Sequence, residues 1–475
     1  MALLHPDEME SQLATLTEEG LAALKVVWIH GSVGGITVEL TQQILHLLLN
    51  RRRKAVMGAL ELLESLGAIS TRTQNYRQIY QIAQPWQDPV DRFLAATIFA
   101  AIQPPAASVS SLPSGRFLLE DLQQLLSWVH FTKPALTQQG QLHKRHLTAL
   151  LTMMGCAANP DELPGRYPEP IGLLMAFLLH RRLVNRTERQ MLTGPDLTEW
   201  LALPDYAQRA ELFQYWVDRY SYQDLQTIVA VLRHLPAGEI PWLDLDSATT
   251  ELEPLVNPSQ RGSFRLRLEH HLATFLAPLG LFELAAGSEP GQLWFRPTPA
   301  GLALIREGRP DPAAEPPFPG FWVQSTYEIL APRPVPTGLL WLLESMADRK
   351  AETDRSLTYG LNRQSVYRSL KDGQSGPALV EFLQRHSAAP VPQNVLFDLQ
   401  GWTQAFGQVS LERLTLLRCS SPDLALQIKF SRRTAPFVLG ELTPQDLVVD
   451  GNQEAALLEA LEADGLMPQQ KGGGH

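Results

Sequence analysis

Cysteine is scarce in this chain, with only two among 475 residues. Cys156 and Cys419 lie far apart in the sequence, which excludes a disulfide framework and a cysteine-based metal cluster and favours a reducing compartment. His143 and His146 are three residues apart, but no third ligand with suitable spacing lies near them. We therefore predict no metal site and no cofactor.

Long hydrophobic runs are also missing. The longest apolar stretches, such as Ile171 to Leu179, are too short to span a bilayer. The first eight residues carry neither a basic segment nor a long apolar one, as a secretory signal would. These features predict a cytoplasmic protein without membrane association.

The sequence lacks the short motifs of common enzymes. No glycine-rich loop ends in Gly-Lys-Ser or Gly-Lys-Thr, so the phosphate-binding loop of an ATPase is absent. Neither a Gly-x-Ser-x-Gly elbow, a His-Glu-x-x-His helix nor a Cys-x-x-Cys pair occurs. We predict that the protein is not an enzyme.

Basic residues are outnumbered, 40 against 50 acidic ones, which gives a net charge of -10. The whole molecule is therefore not a general polyanion binder, and any contact with nucleic acid must come from a local patch. The clearest patch is four consecutive basic residues at the start of an amphipathic helix that carries Val56, Leu60 and Leu63. Its members are Arg51, Arg52, Arg53 and Lys54.

A helix-forming stretch precedes this patch, and a short hairpin between Ala68 and Ile82 follows the basic helix. This order resembles a winged helix, in which the third helix enters the major groove of DNA. The resemblance implies that the basic patch binds nucleic acid and that Arg72 and Arg77 on the wing contact phosphates. A solvated basic face on a winged helix that binds protein is the other interpretation, and both stay open here.

A second stretch has a similar order. A helix from Phe264 ends near Gly280, and a strand from Leu293 leads into a helix capped by Thr298. This too resembles a winged helix. The chain between the two stretches is mainly helical, with Trp200, Trp216 and Trp242 predicted as packing anchors, and proline-rich linkers are predicted at 103–114 and 309–319.

The last third of the chain alternates strands and helices. Phe321 to Leu330 is predicted as a strand, and after three prolines a helix begins near Thr337. Asn362 is the predicted N-cap of a helix with Val366 and Leu370 on its core face, and Gly373 is its left-handed cap. Further predicted elements are a helix at 378–387, two strands at 414–419 and 424–428, a segment at 442–449 and a final helix around 457–461.

This order resembles the helicase-associated domain found at the N-terminus of the helicase XPB and in the TFIIH subunit that clutches XPB. The resemblance implies a protein-binding role for one face of the domain, with an XPB-type helicase as the partner. Candidate partner-binding residues are Tyr327, Arg363, Tyr367 and Arg368. We expect Arg363 and Arg368 to lie on the outer side of their helix.

The predicted fold is mainly α with small β elements (α+β), an array of winged helices followed by an XPB-N/clutch-like domain. The predicted domains are 1–85, 86–240, 241–310 and 315–465. The predicted function is a non-catalytic accessory protein that binds an XPB-type superfamily 2 helicase and positions or stimulates it on DNA, in repair or transcription-linked work. The alternative is a winged-helix transcriptional regulator that needs no helicase.

Overall fold

The computed structural model describes residues 5–31, 36–50, 53–102, 110–112, 117–157, 167–219, 223–235, 240–287, 289, 291–309, 317–409 and 413–469. The chain divides into two compact units, Met1–Thr403 and Gln404–His475. Both combine helices with small antiparallel sheets, which confirms the predicted α+β class. Among the described helices, none is both long and apolar enough to cross a membrane.

The N-terminal region packs helices against a three-stranded antiparallel sheet with the order β1-β3-β2. The Thr37 hydroxyl accepts a hydrogen bond from the Leu40 amide at 3.3 Å and so starts the third helix of this group. That helix ends at Asn50, whose φ of 46° is left-handed. The elements are α1 (Pro6–Ala14), α2 (Glu18–Gly31), β1 (Ile36–Thr37), α3 (Val38–Leu49), α4 (Arg53–Ser65), β2 (Ile69–Gln74) and β3 (Arg77–Ile82).

The next region is mainly helical, as predicted. Trp200 and Trp216 are almost fully buried and pack as expected, whereas Trp242 is only half-buried, with the Arg296 guanidinium over its ring. The elements are α5 (Gln87–Ala101), β4 (Ser110–Leu112), α6 (Leu118–Thr132), α7 (Lys144–Met153), α8 (Ile171–His180), β5 (Val184–Arg186), β6 (Met191–Thr193), α9 (Leu197–Ala202), α10 (Asp205–Arg219) and α11 (Gln223–Leu232).

A four-stranded sheet with the order β4-β8-β9-β7 follows, and β4 comes from more than a hundred residues earlier. The Thr298 hydroxyl accepts from the Gly301 amide at 3.0 Å, which confirms the predicted cap. One hydrophobic core extends from Met9 to Ile305. The elements are β7 (Leu243–Asp244), α12 (Leu245–Leu252), α13 (Phe264–His271) with a π-helical continuation (Leu272–Leu276), β8 (Phe282–Ala286), β9 (Leu293–Pro297) and α14 (Pro299–Glu307).

The region from Phe321 has its own core around a sheet with the order β10-β11-β13-β12. The single strand predicted for 321–330 is wrong, because a tight turn at Gln324–Tyr327 divides it into two paired strands. The Tyr327 amide donates to the Gln324 carbonyl at 3.0 Å, and the intervening polar side chains are exposed. The elements are β10 (Trp322–Val323), β11 (Glu328–Pro332), α15 (Thr337–Met346), β12 (Ala347–Glu352), β13 (Ser356–Leu361), α16 (Arg363–Lys371), α17 (Gly376–His386) and α18 (Gln393–Gln404).

The second unit has a separate core beneath a sheet with the order β14-β16-β15. The strand predicted at 424–428 is wrong, since this segment is helical. Ser421 accepts from the Leu424 amide at 3.2 Å and Pro422 occupies the first turn, a combination that starts a helix. The elements are β14 (Thr415–Arg418), α19 (Pro422–Phe430), β15 (Val438–Thr443), β16 (Asp446–Val449) and α20 (Glu454–Ala463). The predicted region 315–465 includes residues of both units, and the domain boundaries stay a prediction.

Candidate nucleic-acid and partner-binding surfaces

The basic patch lies at the start of α4. Lys54, the second residue of this helix, is exposed, while Val56 and Leu60 are buried on its core face. Arg51 and Arg52 lie outside the described residues, and only the backbone of Arg53 is described. The placement of Lys54 leaves its ammonium group available to a phosphate.

The β2–β3 hairpin carries the other two predicted nucleic-acid contacts. Its register pairs Arg72 with Ile79 and Gln74 with Arg77. Directly paired residues point to the same side of a sheet, so Arg72 and Arg77 share one face of the hairpin. Both side chains are exposed. Their shared face can place two guanidinium groups along one phosphate backbone.

The base of this hairpin is acidic, unlike its outer part. The Thr71 hydroxyl donates to Glu64 of α4. Burial raises the pKa of the Tyr80 hydroxyl, and the negative charges of Glu64 and Glu61 raise it further. The positive charge of the hairpin is therefore concentrated away from α4, toward the turn.

Helix α16 presents the predicted partner-binding residues. The Asn362 side chain accepts from the Gln364 and Ser365 amides at 3.0 and 2.9 Å, and the Ser365 hydroxyl accepts from the Asn362 amide at 3.2 Å. This reciprocal cap confirms the predicted start of the helix. With Val366 buried on the core face, Arg363 and Tyr367 are exposed, as expected for a binding surface.

Arg368 does not lie on the outer side of α16, so that placement was wrong. Its Nη1 donates to Asp348 Oδ1 at 3.0 Å, its Nη2 donates to the Glu344 carbonyl at 3.3 Å, and the guanidinium lies over the Phe131 ring. Burial opposes ionisation of Asp348, but hydrogen bonds from Asn362 and Arg368 lower the pKa of its carboxyl. The guanidinium is held there because β12 and α6 both face this side of the helix.

Tyr327 occupies the β10–β11 turn with a φ of 66°. Its hydroxyl donates to the Asp398 carboxylate, and this hydrogen bond raises the pKa of Tyr327. The ring lies 6.1 Å from that of Trp402, centroid to centroid. Tyr327 is therefore half-buried and fixes the turn against α18, with less free surface than Tyr367.

A buried ion pair between α6 and the segment after β11 was not foreseen from the sequence. Glu120 Oε2 accepts from Arg333 Nε at 2.7 Å, and Glu120 Oε1 accepts from the Val335 amide at 2.7 Å. The two side chains are 2% and 1% exposed. Arg333 Nη1 also reaches Glu352 Oε1 at 2.8 Å.

The protonation of Glu120 is set by two opposing effects. Burial raises the pKa of its carboxyl to about 7, although Arg333 and the Val335 amide act to lower it.

A second polar contact joins the chain just after this segment to α10, where Asp205 Oδ1 accepts from the Thr337 amide and hydroxyl at 3.1 and 2.8 Å. The only sequence signal for this junction was Glu120 itself, an acidic residue within an apolar run.

No described group of three or more His, Cys, Asp or Glu side chains is arranged to hold a metal ion. His143 and His146 flank the start of α7 without a third ligand among the described residues. Both cysteines are free thiols, and burial raises the pKa of Cys419.

Comparison with protein-family models matches residues 321–443 to the family described as helicase conserved C-terminal domain. No curated protein matches the chain. The matched segment begins at the first strand of the 321–403 region and ends with β15. The match supports a helicase-associated protein, with a helicase-related function for this part of the chain.

Proposed function

We propose that this protein is a non-catalytic accessory protein that binds an XPB-type superfamily 2 helicase and positions or stimulates it on DNA. The observation that carries the proposal is the helicase-type match at 321–443 in a chain that has no phosphate-binding loop. A helicase-related region in a sequence without this loop fits a protein that acts on the motor of another chain. DNA repair or transcription-linked remodelling is the proposed setting.

Two exposed side chains on α16 support the partner-binding part of the proposal. Tyr367 is 53% exposed, and Arg363 lies one turn earlier on the same helix. Tyrosine and arginine are among the residue types enriched at the positions that contribute most to binding energy in protein interfaces. Arg368 and Tyr327 contribute indirectly, by fixing the position of α16 and of the β10–β11 turn.

The N-terminal region supports the DNA-binding part. A helix, a short strand, two helices and a hairpin follow one another, and the short strand pairs with the second strand of the hairpin. This is the order expected for a winged helix, and its exposed basic side chains Lys54, Arg72 and Arg77 fit phosphate contacts. The same features favour the second candidate function, a winged-helix transcriptional regulator.

The test is copurification of the full-length protein with the superfamily 2 helicase of the same cell. The whole chain is the appropriate bait, because removing residues before 315 would expose Arg333 by taking away Glu120. Arg363→Glu combined with Tyr367→Ala should reduce recovery of the helicase. Arg385→Glu is the matched control, since Arg385 is an exposed arginine on the neighbouring helix α17.

Stimulation of the helicase ATPase by the wild-type protein, reduced by the double variant, would support the accessory function. Turnover of ATP by the purified protein alone would contradict the non-catalytic part. Absence of any helicase in the copurified material, together with binding to one preferred palindromic DNA sequence, would favour the regulator instead.

A further inference from the structure

The tip of the β2–β3 hairpin holds a single aromatic side chain in full contact with solvent. Tyr76 has a relative exposure of 104%, the highest among the exposed large apolar side chains of the described residues. It lies in the two-residue turn between Gln74 and Arg77, the last cross-strand pair of the hairpin. No described side chain shields the ring.

The backbone at this turn is unfavourable for tyrosine. Asn75 and Tyr76 have φ values of 48° and 63°, so both central residues of the turn are left-handed. Two-residue hairpin turns of this kind prefer Asn followed by Gly, because a bulky side chain is strained at positive φ. Asn75 fits that preference and Tyr76 does not. Strained residues cluster at functional sites, so the φ of Tyr76 marks this turn as a candidate site.

The surroundings of Tyr76 match nucleic acid better than protein. Residues 71–78 are all exposed and contain two arginines, no acidic residue and no other large apolar side chain. A protein-binding tyrosine would normally have apolar neighbours to exclude water. Cationic side chains that follow a backbone, with an aromatic ring for base stacking, are the features of single-strand binding surfaces.

The hairpin is long enough to reach a base. Ile79 is the outermost buried residue of the hairpin, and beyond its pair with Arg72 the strands project by two residues, about 7 Å at the usual rise of a strand, before the turn that holds Tyr76. Arg72 and Arg77 share one face and lie just behind the tip. A phosphate backbone held by these two guanidinium groups would bring its bases within range of the Tyr76 ring.

We infer that Tyr76 stacks on an exposed nucleobase of DNA at a junction between duplex and single strand, while Arg72 and Arg77 hold the adjacent phosphates. This rests on the proposed function, because it assumes that the N-terminal hairpin contacts DNA. It adds the class of DNA structure that the protein prefers. An intact duplex offers base faces only at its ends, whereas a fork offers them at the junction.

The test uses the full-length protein with a forked duplex, a circular duplex without ends, and a single strand, each at matched salt. The fork carries 2-aminopurine at the junction, whose fluorescence reports stacking. Tyr76→Gly should weaken fork binding by roughly 10-fold, in line with the loss of one stacked base, and abolish the fluorescence change. Binding to the circular duplex should change less than about twofold. Tyr76→Phe should behave like wild type.

Tyr76→Gly also separates a binding role from a structural one. Glycine suits this turn, so the variant should have an unchanged or higher melting temperature while it loses fork preference. Phe397→Ala is the matched control, because Phe397 is a solvent-exposed aromatic residue on α18. It should leave fork binding unchanged.

Two negative results have different meanings. If Tyr76→Gly binds the fork as wild type does, while Arg72→Ala with Arg77→Ala weakens every DNA, then DNA binding holds and base stacking by Tyr76 is excluded. If the wild-type protein binds none of the three DNA substrates, both the inference and the DNA-binding part of the proposed function are overturned.

Discussion

The hairpins β2–β3 and β8–β9 each come after a short strand and a group of helices, but the two hairpins have different surroundings. Strand β2 is an edge strand with five of its six residues at least partly exposed. In the second hairpin β8 pairs with β4 and β9 pairs with β7, so both strands are interior. The first hairpin has a free edge strand and an exposed tip, whereas each strand of the second is paired on both sides.

The basic residues of the two regions differ in the same way. In the second region Arg265 pairs with Asp246 and with Glu269, and Arg296 pairs with Glu283. Arg72 and Arg77 of the first hairpin form no ion pair with any acidic residue that the structure describes. The two regions therefore share an order of elements but differ in how far their basic side chains are paired with acidic ones.

Paired and unpaired charges should also differ in what they contribute to stability, and the largest effect is expected for a buried charge compared with an exposed one. Glu120→Leu at pH 8 should lower the free energy of unfolding by about 3–5 kcal/mol, because it leaves Arg333 buried without its main partner. Arg72→Ala should change stability by less than about 0.5 kcal/mol. Denaturant unfolding measures both.

The control for this test is the double variant Glu120→Leu with Arg333→Met, which removes both charges. It should recover much of the lost stability, since a buried pair replaced by apolar residues is often tolerated. Equal stability of Glu120→Leu and wild type would show that the ion pair is not what holds α6 to this region.

Glu120 should also make stability depend on pH. Its pKa is about 7 in the folded protein, above the 4.5 of an unperturbed group, so the folded state binds more protons between these values. Stability should therefore fall as pH rises from about 4.5 to 7, by up to about 3 kcal/mol at 1.36 kcal/mol per pKa unit.

Glu120→Gln provides the comparison for this prediction, because it cannot titrate. The difference in unfolding free energy between wild type and Glu120→Gln should change across this pH range and become constant above about pH 8. A constant difference from pH 4.5 to 8 would show that folding leaves the pKa of this carboxyl unchanged.

The basic patch is tested by DNA binding. Replacing Arg51, Arg52, Arg53 and Lys54 by Ala should weaken binding to all sequences and flatten the salt dependence by about one unit of log-log slope for each lost phosphate contact. Arg265→Ala with Arg296→Ala should leave the slope unchanged, since acidic partners already neutralise those residues. An unchanged slope in the first variant would assign the patch to protein binding.

The last prediction concerns two helical glycines. Gly58 of α4 has no atom within 4 Å of an added Cβ, so Gly58→Ala should stabilise the protein by about 0.5–1 kcal/mol. Gly301 of α14 would place a Cβ 2.0 Å from the Leu281 carbonyl oxygen, so Gly301→Ala should destabilise it. The midpoint temperature of thermal unfolding should rise for Gly58→Ala and fall for Gly301→Ala. A loss of stability in Gly58→Ala would contradict the open space around Gly58 on the surface of α4.

Local signals were sufficient for most of the helices. The caps at Asn362 and Thr298 could be predicted from the sequence. In each, the side chain accepts from an amide no more than three residues away, and such a local hydrogen bond forms without help from distant residues. Ser421-Pro422 is a signal of the same kind, because a serine cap followed by a first-turn proline starts α19, where a strand is predicted at 424–428. The break between β10 and β11 was missed because Tyr327 adopts a left-handed conformation that its type rarely has.

Charged side chains followed a different rule. The exposed position of Arg363 agreed with helical spacing, whereas Arg368 on the same helix turned toward Asp348 and Phe131. Glu120 and Arg333 are separated by 213 residues, and no feature of the sequence near either residue predicts that they form an ion pair. Helices begin and end through neighbours in sequence, so their bounds can be read from it. Whether a charge is buried, paired or free depends on which distant surface covers it, and only the packed chain decides that.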